Sequence, residues 1–242
     1  MNRQLRWVGQ WLLITFSVTG TAQSIPVWTE SLVDKDSLWP PPHFSVPVCW
    51  ENTNDFSLER RWVEESVYAH IEGVNREVSG LRFLNSAGAR GGWSVCKPNS
   101  LGVRVTVDDS PSRSDVGRQW NRDRDGNKLS ERATRMYLNF SFRLSPDDAW
   151  CRKEREHCIR AIAVHEFMHA VGFLHEQLRT DAPDNCKAHW AEHPDFEGYR
   201  PTPVTESYDA DSHMNYCTNM YRRPLRLSLL DVATLRRLYP FN

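Results

Sequence analysis

Residues His165 to His175 read His165, Glu166, Phe167, Met168, His169, Ala170, Val171, Gly172, Phe173, Leu174, His175, the pattern HExxHxxGxxH. On a helix, residues four apart stand one turn above each other, so His165 and His169 can offer imidazole nitrogens to one metal ion at about 2 Å. Glu166 lies beside that face, placed to reach a water on the metal, as a general base requires. Gly172 can adopt the left-handed conformation that ends a helix, letting His175 return as a third ligand. Three protein ligands leave a fourth position for water, which zinc acidifies to a pKa of about 7 while polarising a carbonyl oxygen. That chemistry is hydrolysis of an amide bond. Polar histidines on a half-exposed helix would also satisfy HExxH, but the added Gly and third His make a chance match roughly a hundredfold rarer. His43, His70, His157, His189, His193 and His213 lack ligand-like spacing and are expected on the surface or in loops.

Positioning these groups requires a framework. Helical apolar spacing runs from Ile159 to Leu174 and from Ser57 to Asn75, the latter turning Val63, Val67, Ile71 and Val74 inward. Strands are expected at Ser45–Trp50, Leu81–Leu84, Val103–Val107 and Met136–Phe142, separated by turns rich in Gly, Ser, Pro and Asp. Beyond Gln177 the chain becomes irregular until a last helix, where Ser228 and Asp231 form a capping box ahead of Val232, Leu235 and Leu238. The expected fold is α+β: a mixed sheet with helices in an upper lobe, an irregular lower lobe with a C-terminal helix, and a cleft between them.

With those residues in place, the chain resembles the metzincin metallopeptidases. Ser212, His213, Met214, Asn215 and Tyr216 look like their Met-turn. The stretch through Phe173, Leu174, His175, Glu176, Gln177 and Arg179 is similar to the GFxHEQxR of the astacin family. The resemblance implies a mostly parallel twisted sheet and two long helices in the upper lobe. It also implies Met214 beneath the metal, and Tyr216 as a further zinc ligand that swings away to stabilise the tetrahedral intermediate. Without it, Met214 reads as a core methionine and Tyr216 as a packed aromatic. Fainter likeness extends to Leu38, Trp39, Pro40 and the strand through Val46, Pro47 and Val48. Ser114, Val116, Gly117 and Arg118 resemble the family's edge strand, which would hold an extended peptide by main-chain hydrogen bonds. Astacins pair the acid after the third histidine, here Glu176, with the mature N-terminus; a solvated surface acid is the alternative. Asn215 stands where the family has histidine, Cys217 directly follows Tyr216, and the cysteine pattern differs from the family's framework. Its disulfides are therefore not carried over, and we expect Cys49–Cys96, Cys151–Cys158 and Cys186–Cys217, the last tying the segment after His175 to the Met-turn.

At the N-terminus, Arg3 and Arg6 precede an apolar run ending near Gly20, Thr21 and Ala22, the features of a secretory signal peptide over 1–22. A short extension or propeptide over 23–38 and an astacin-like catalytic domain over 39–242 follow. Asp34 or Asp36 could occupy the zinc in a proenzyme. The formal charge of −1 among 242 residues argues against a nucleic-acid partner, and no membrane attachment is expected after signal cleavage. Six cysteines suit an oxidising compartment, extracellular or periplasmic. Asn121, Asp123, Asp125 and Gly126 match half of a calcium loop, but Glu131 falls one position early, so a polar hairpin is preferred over calcium. Asn139, Phe140 and Ser141 form a glycosylation sequon. The expectation is a secreted zinc metalloendopeptidase cutting protein or peptide substrates through a zinc-bound water, with Glu166 as general base. A peptide-trimming metzincin and a binding protein on a retired protease fold are the alternatives.

Overall fold

A computed structural model describes residues 30–41, 44–52, 56–73, 77–143, 148–190, 202–204 and 207–241. The expected signal peptide over 1–22, His43, Val74 and His193 lie outside the described residues, as does the side chain of His189. In chain order the strands are β1 (Glu30–Val33), β2 (Ser45–Trp50), β3 (Arg82–Leu84), β4 (Val103–Val107), β5 (Arg113–Ser114), β6 (Gln119–Arg122), β7 (Lys128–Arg132), β8 (Thr134–Leu138) and β9 (Thr202–Val204). The α-helices are α1 (Ser57–Val67), α2 (Asp148–Lys153), α3 (Arg155–Ala170), α4 (Asp184–Trp190) and α5 (Leu229–Leu238).

Five strands form the main sheet in the order β3-β2-β4-β8-β5. The first four run parallel, and only β5, at the edge, is antiparallel to its neighbour. In β4, Val103, Val105 and Val107 are buried while Arg104 and Thr106 are half-exposed, the period of two expected of a strand with one face on a core. That core includes Val63 and Val67 of α1 and Ile159, Val164 and Phe167 of α3.

Helix α1 stops earlier than its apolar spacing predicts. From Tyr68 to Glu72 the backbone widens into a π-helical turn, closed where the Gly73 amide donates to the Tyr68 carbonyl at 2.9 Å. The wider turn buries Ile71 and Glu72 side by side. Glu72 accepts the Phe83 amide at 2.7 Å and pairs with Arg90 at 3.1 Å. Strand β8 likewise ends at Leu138, short of Phe142. The side-chain oxygen of Asn139 accepts the amides of Ser141 and Phe142, both at 2.8 Å, and folds the chain into a turn.

Helix α3 is buried almost all round from Cys158 onward. Phe167 stacks on Trp93 at 5.1 Å and meets Phe83 edge-on. The helix starts four residues before Ile159 and ends at Ala170, because Gly172 at φ 101° turns the chain away. Its last carbonyls are satisfied from distant segments. Trp39 donates through Nε1 to the Ala170 carbonyl at 2.8 Å, and the Tyr239 hydroxyl donates to the Val171 carbonyl at 2.7 Å.

Below that end the structure is irregular. Strand β1 pairs with β9 and bridges Phe173 through Val33, and Leu174 donates to the Leu32 carbonyl at 2.8 Å. Helix α5 begins at the Ser228–Asp231 capping box. Three disulfides, Cys49–Cys96, Cys151–Cys158 and Cys186–Cys217, use all six cysteines. The second joins α2 to α3, and the third links α4 to the turn after Tyr216. No helix among the described residues is long and apolar enough to cross a membrane.

Candidate metal centre

Two candidate ligands arise directly from helical periodicity. His165 and His169 project from one face of α3 with ring centroids 4.8 Å apart. The third requires the turn at Gly172, where a Cβ would approach Leu38 Cδ2 to 2.8 Å and the positive φ would strain any other residue. After that turn His175 returns, and its Nε2 lies 3.1 Å from Nε2 of His165 and 3.0 Å from Nε2 of His169. All three rings are buried, and they form the one group of metal-ligand side chains found among the described residues.

The surrounding carbonyls decide which nitrogens are available. His165 donates through Nδ1 to the His213 carbonyl at 3.0 Å, and His169 through Nδ1 to the Phe173 carbonyl at 2.8 Å. A carbonyl can only accept, so both rings carry their proton on Nδ1 and turn a bare Nε2 lone pair toward His175. Burial holds the His165 and His175 pKa values well below the ordinary range, with neighbouring imidazoles adding to the effect. Converging neutral nitrogens on buried rings suit a shared cation. Tetrahedral zinc with bonds of about 2.0–2.1 Å would set them roughly 3.3 Å apart, so the donor set fits zinc with little adjustment.

Glu166 is 1% exposed, and neither carboxylate oxygen has a hydrogen-bond partner among the described residues. Burial raises its pKa well above the carboxylate range, and the charge of Arg113 on β5 works against that rise. A buried carboxyl with unused acceptors is costly unless another group supplies the missing contacts.

Met214 is fully buried, and its carbonyl accepts the Glu176 amide at 3.0 Å. The Tyr216 ring stacks on His165 at 4.8 Å and leans against His175 at 4.2 Å. Its backbone amide donates to Oε1 of Gln177 at 3.1 Å. Glu176 is buried, contrary to the surface alternative; its Oε1 accepts the Asp209 amide at 2.8 Å, and burial pushes its pKa up to about 7.

Several expectations change. His213 is neither on the surface nor idle: it is 1% exposed and its Nε2 donates to the Ala161 carbonyl at 2.9 Å. Its position directly before Met214 is the available signal. Gln177, part of the GFxHEQxR stretch, reaches the site through the Tyr216 amide, whereas Asp231, known from sequence only as a capping residue, accepts from Ser212 and His213 just before Met214. The edge strand is shorter than anticipated, because the amides of Gly117 and Arg118 are bonded to the carbonyls of His169 and Ser37, leaving Arg113–Ser114 as strand. Asp34 directs its carboxylate to the Ser37 hydroxyl at 2.6 Å and the Asp36 amide at 3.1 Å, within its own turn. Asp123 accepts from the amides of Asp125 and Asn127 and from the Asn127 side chain, tying the turn of the β6–β7 hairpin. The Asn139 amide is 5% exposed and donates to the Asp109 carbonyl, so the sequon is covered in the folded chain. A cavity of about 530 Å³ lined by Phe56, Phe140, Phe142 and Arg155 opens at the other end of α3 and touches none of the metal-site residues.

The chain is similar to known proteins in part of its sequence and in its fold. Residues 153–229 match the model of the astacin peptidase family. Over 75 residues the chain is 39% identical to the zinc metalloproteinase nas-15 of Caenorhabditis elegans, a match covering 27% of this chain and 13% of that protein. The chain thus aligns with only a small part of that curated relative. The structure of myroilysin superposes with a TM-score of 0.53 at 17% identity, covering 88% of this chain and 100% of that one, and shows a shared fold. High choriolytic enzyme 1, a hatching enzyme zinc-protease from Oryzias latipes, gives 0.47 at 16% identity, covering 86% and 96%.

Proposed function

We propose that this chain, most like the astacin family of metzincin peptidases, is a secreted zinc-dependent endopeptidase acting on protein or peptide substrates. The observation that carries the reading is the convergence of three buried imidazole Nε2 atoms next to the buried Glu166 carboxylate, which has no hydrogen-bond partner among the described residues. His165, His169 and His175 would hold the zinc. When bound, zinc polarises a substrate carbonyl and acidifies water, as amide hydrolysis at neutral pH requires.

Glu166 then takes a proton from the attacking water at one carboxylate oxygen and returns it to the departing amine nitrogen. Burial raises the Glu166 pKa, so its carboxyl holds a proton more readily than an exposed one, which suits a group that must first accept and then donate. The Tyr216 hydroxyl, carried on a ring already against two ligands, would donate to the oxyanion of the tetrahedral intermediate. Met214, fully buried in the core, would pack beneath the ligands and keep water from that side. The outer edge of Arg113–Ser114 would pair with an extended substrate, giving main-chain affinity with little demand on sequence. Three disulfides support an oxidising, extracellular or periplasmic setting, and 1–22 is assigned as the signal peptide. Residues 23–38 are assigned as the extension and 39–242 as the catalytic domain.

Cleavage of a quenched random-peptide library by the full chain lacking 1–22 tests the proposal. Activity abolished by a zinc chelator and by Glu166→Ala is expected. Chelator-resistant cleavage would overturn the zinc assignment. Zinc binding without cleavage of any peptide length would point to a binding role for the intact site.

A further inference from the structure

The turn carrying Ser212 to Tyr216 has no regular structure, yet it contacts two of the three ligand segments. What holds it is a carboxylate from the next helix. Asp231, fully buried in the first turn of α5, accepts the Ser212 hydroxyl on Oδ1 at 2.8 Å and the His213 amide on Oδ2 at 2.8 Å. It also accepts the Ser228 amide at 3.1 Å, which is all a capping box requires. The other two donors come from 19 and 18 residues earlier and have no part in capping. Ser212 Oγ in turn accepts the Met214 amide at 3.0 Å.

From there the turn reaches α3 at two points. The His213 carbonyl accepts His165 Nδ1–H, and the His213 ring donates to the Ala161 carbonyl one helical turn earlier. On the opposite side, the Met214 carbonyl holds the Glu176 amide directly after His175. We propose that Asp231 is a positioning residue for the metal centre: by gripping Ser212 and His213 it keeps the His213 carbonyl on His165 and the Met214 carbonyl behind His175. An acceptor on Nδ1 fixes the ring's orientation and tautomer and raises its basicity, and losing such a partner weakens metal binding by about 10–100-fold.

This inference rests on the zinc reading above, and its test separates the two. The full chain lacking 1–22 is titrated with zinc against a chromophoric chelator, and its cobalt(II) form is examined by visible absorption. Asp231→Asn places an NH2 against donors that now meet an oxygen, so zinc affinity should fall roughly 10–100-fold and the cobalt bands should shift. Ser228→Ala removes the cap but leaves the grip on Ser212 and His213; it should lower the melting temperature while keeping zinc affinity within about twofold. If Asp231→Asn does not fold, Ser212→Ala takes its place, with an expected loss of about tenfold. Wild-type zinc affinity and an unshifted cobalt spectrum in the folded variant would overturn the positioning role. Failure of the wild-type protein to bind zinc would instead sink the zinc reading.

Discussion

The upper and lower halves of the metal centre place their groups by different means. His165, Glu166 and His169 take their geometry from the regular rise of α3, a helix buried nearly all round and braced by Trp93, Phe83 and the Cys151–Cys158 bridge. His175, Met214 and Tyr216 stand on segments with little regular structure, held by Gly172, Asp231, Gln177 and the Cys186–Cys217 bridge. Periodicity fixes where the backbone of the first set stands, although the His165 ring also rests on the distant His213 carbonyl. The second set depends on individual hydrogen bonds and one covalent link, so it can be disturbed from a distance.

That contrast can be broken at its catalytic member first. Glu166→Gln should reduce cleavage by about 10²–10⁴-fold while zinc still binds, because only the proton acceptor is lost. Equal losses of zinc and activity would show instead that the carboxylate supports the fold of the site. Next in size, replacing Cys186 and Cys217 together by serine should destabilise the chain by about 3–4 kcal/mol, from a closed loop of 31 residues. Limited proteolysis should then cut the lower half before α3, and uniform cutting would contradict that division.

A pH effect separates the halves further. Burial lowers the His213 pKa from 6.5 to about 4 in the folded chain. The folded state therefore binds fewer protons than the unfolded one between those values, and stability falls as pH drops from about 6.5 through 4. His213→Gln should flatten that limb by up to about one proton in metal-free protein, corresponding to at most roughly 3 kcal/mol. An unchanged slope in denaturant melts would mean that another histidine governs acid unfolding. The smallest expected effect is Gly172→Ala, about 1–2 kcal/mol of stability from strain at φ 101°. Its zinc affinity should drop as well, since the same turn returns His175 to its partners.

The amino-acid sequence by itself determined the three clustered histidines, the buried carboxylate next to them in the chain, the capping box of α5 and the main strands. Each is written in local spacing: four residues for one helical turn, two for one strand face, three for a cap. It also carried the turn at Gly172, since glycine accepts without strain the positive φ that turns the chain at a helix end. Tertiary structure decided what joins distant segments. The π-helical turn after Val67 forms so that Glu72 can meet the Phe83 amide and Arg90, partners that no helical period announces. The edge strand stops at Ser114 because His169 and Ser37 claim the next amides. His213 is buried, and Asp231 serves the metal helix as well as its own, because carboxylate and turn meet only when α5 packs against the lower half. Local spacing specifies what a segment can form alone; a hydrogen bond across 18 residues exists only once the whole core has brought its two ends together.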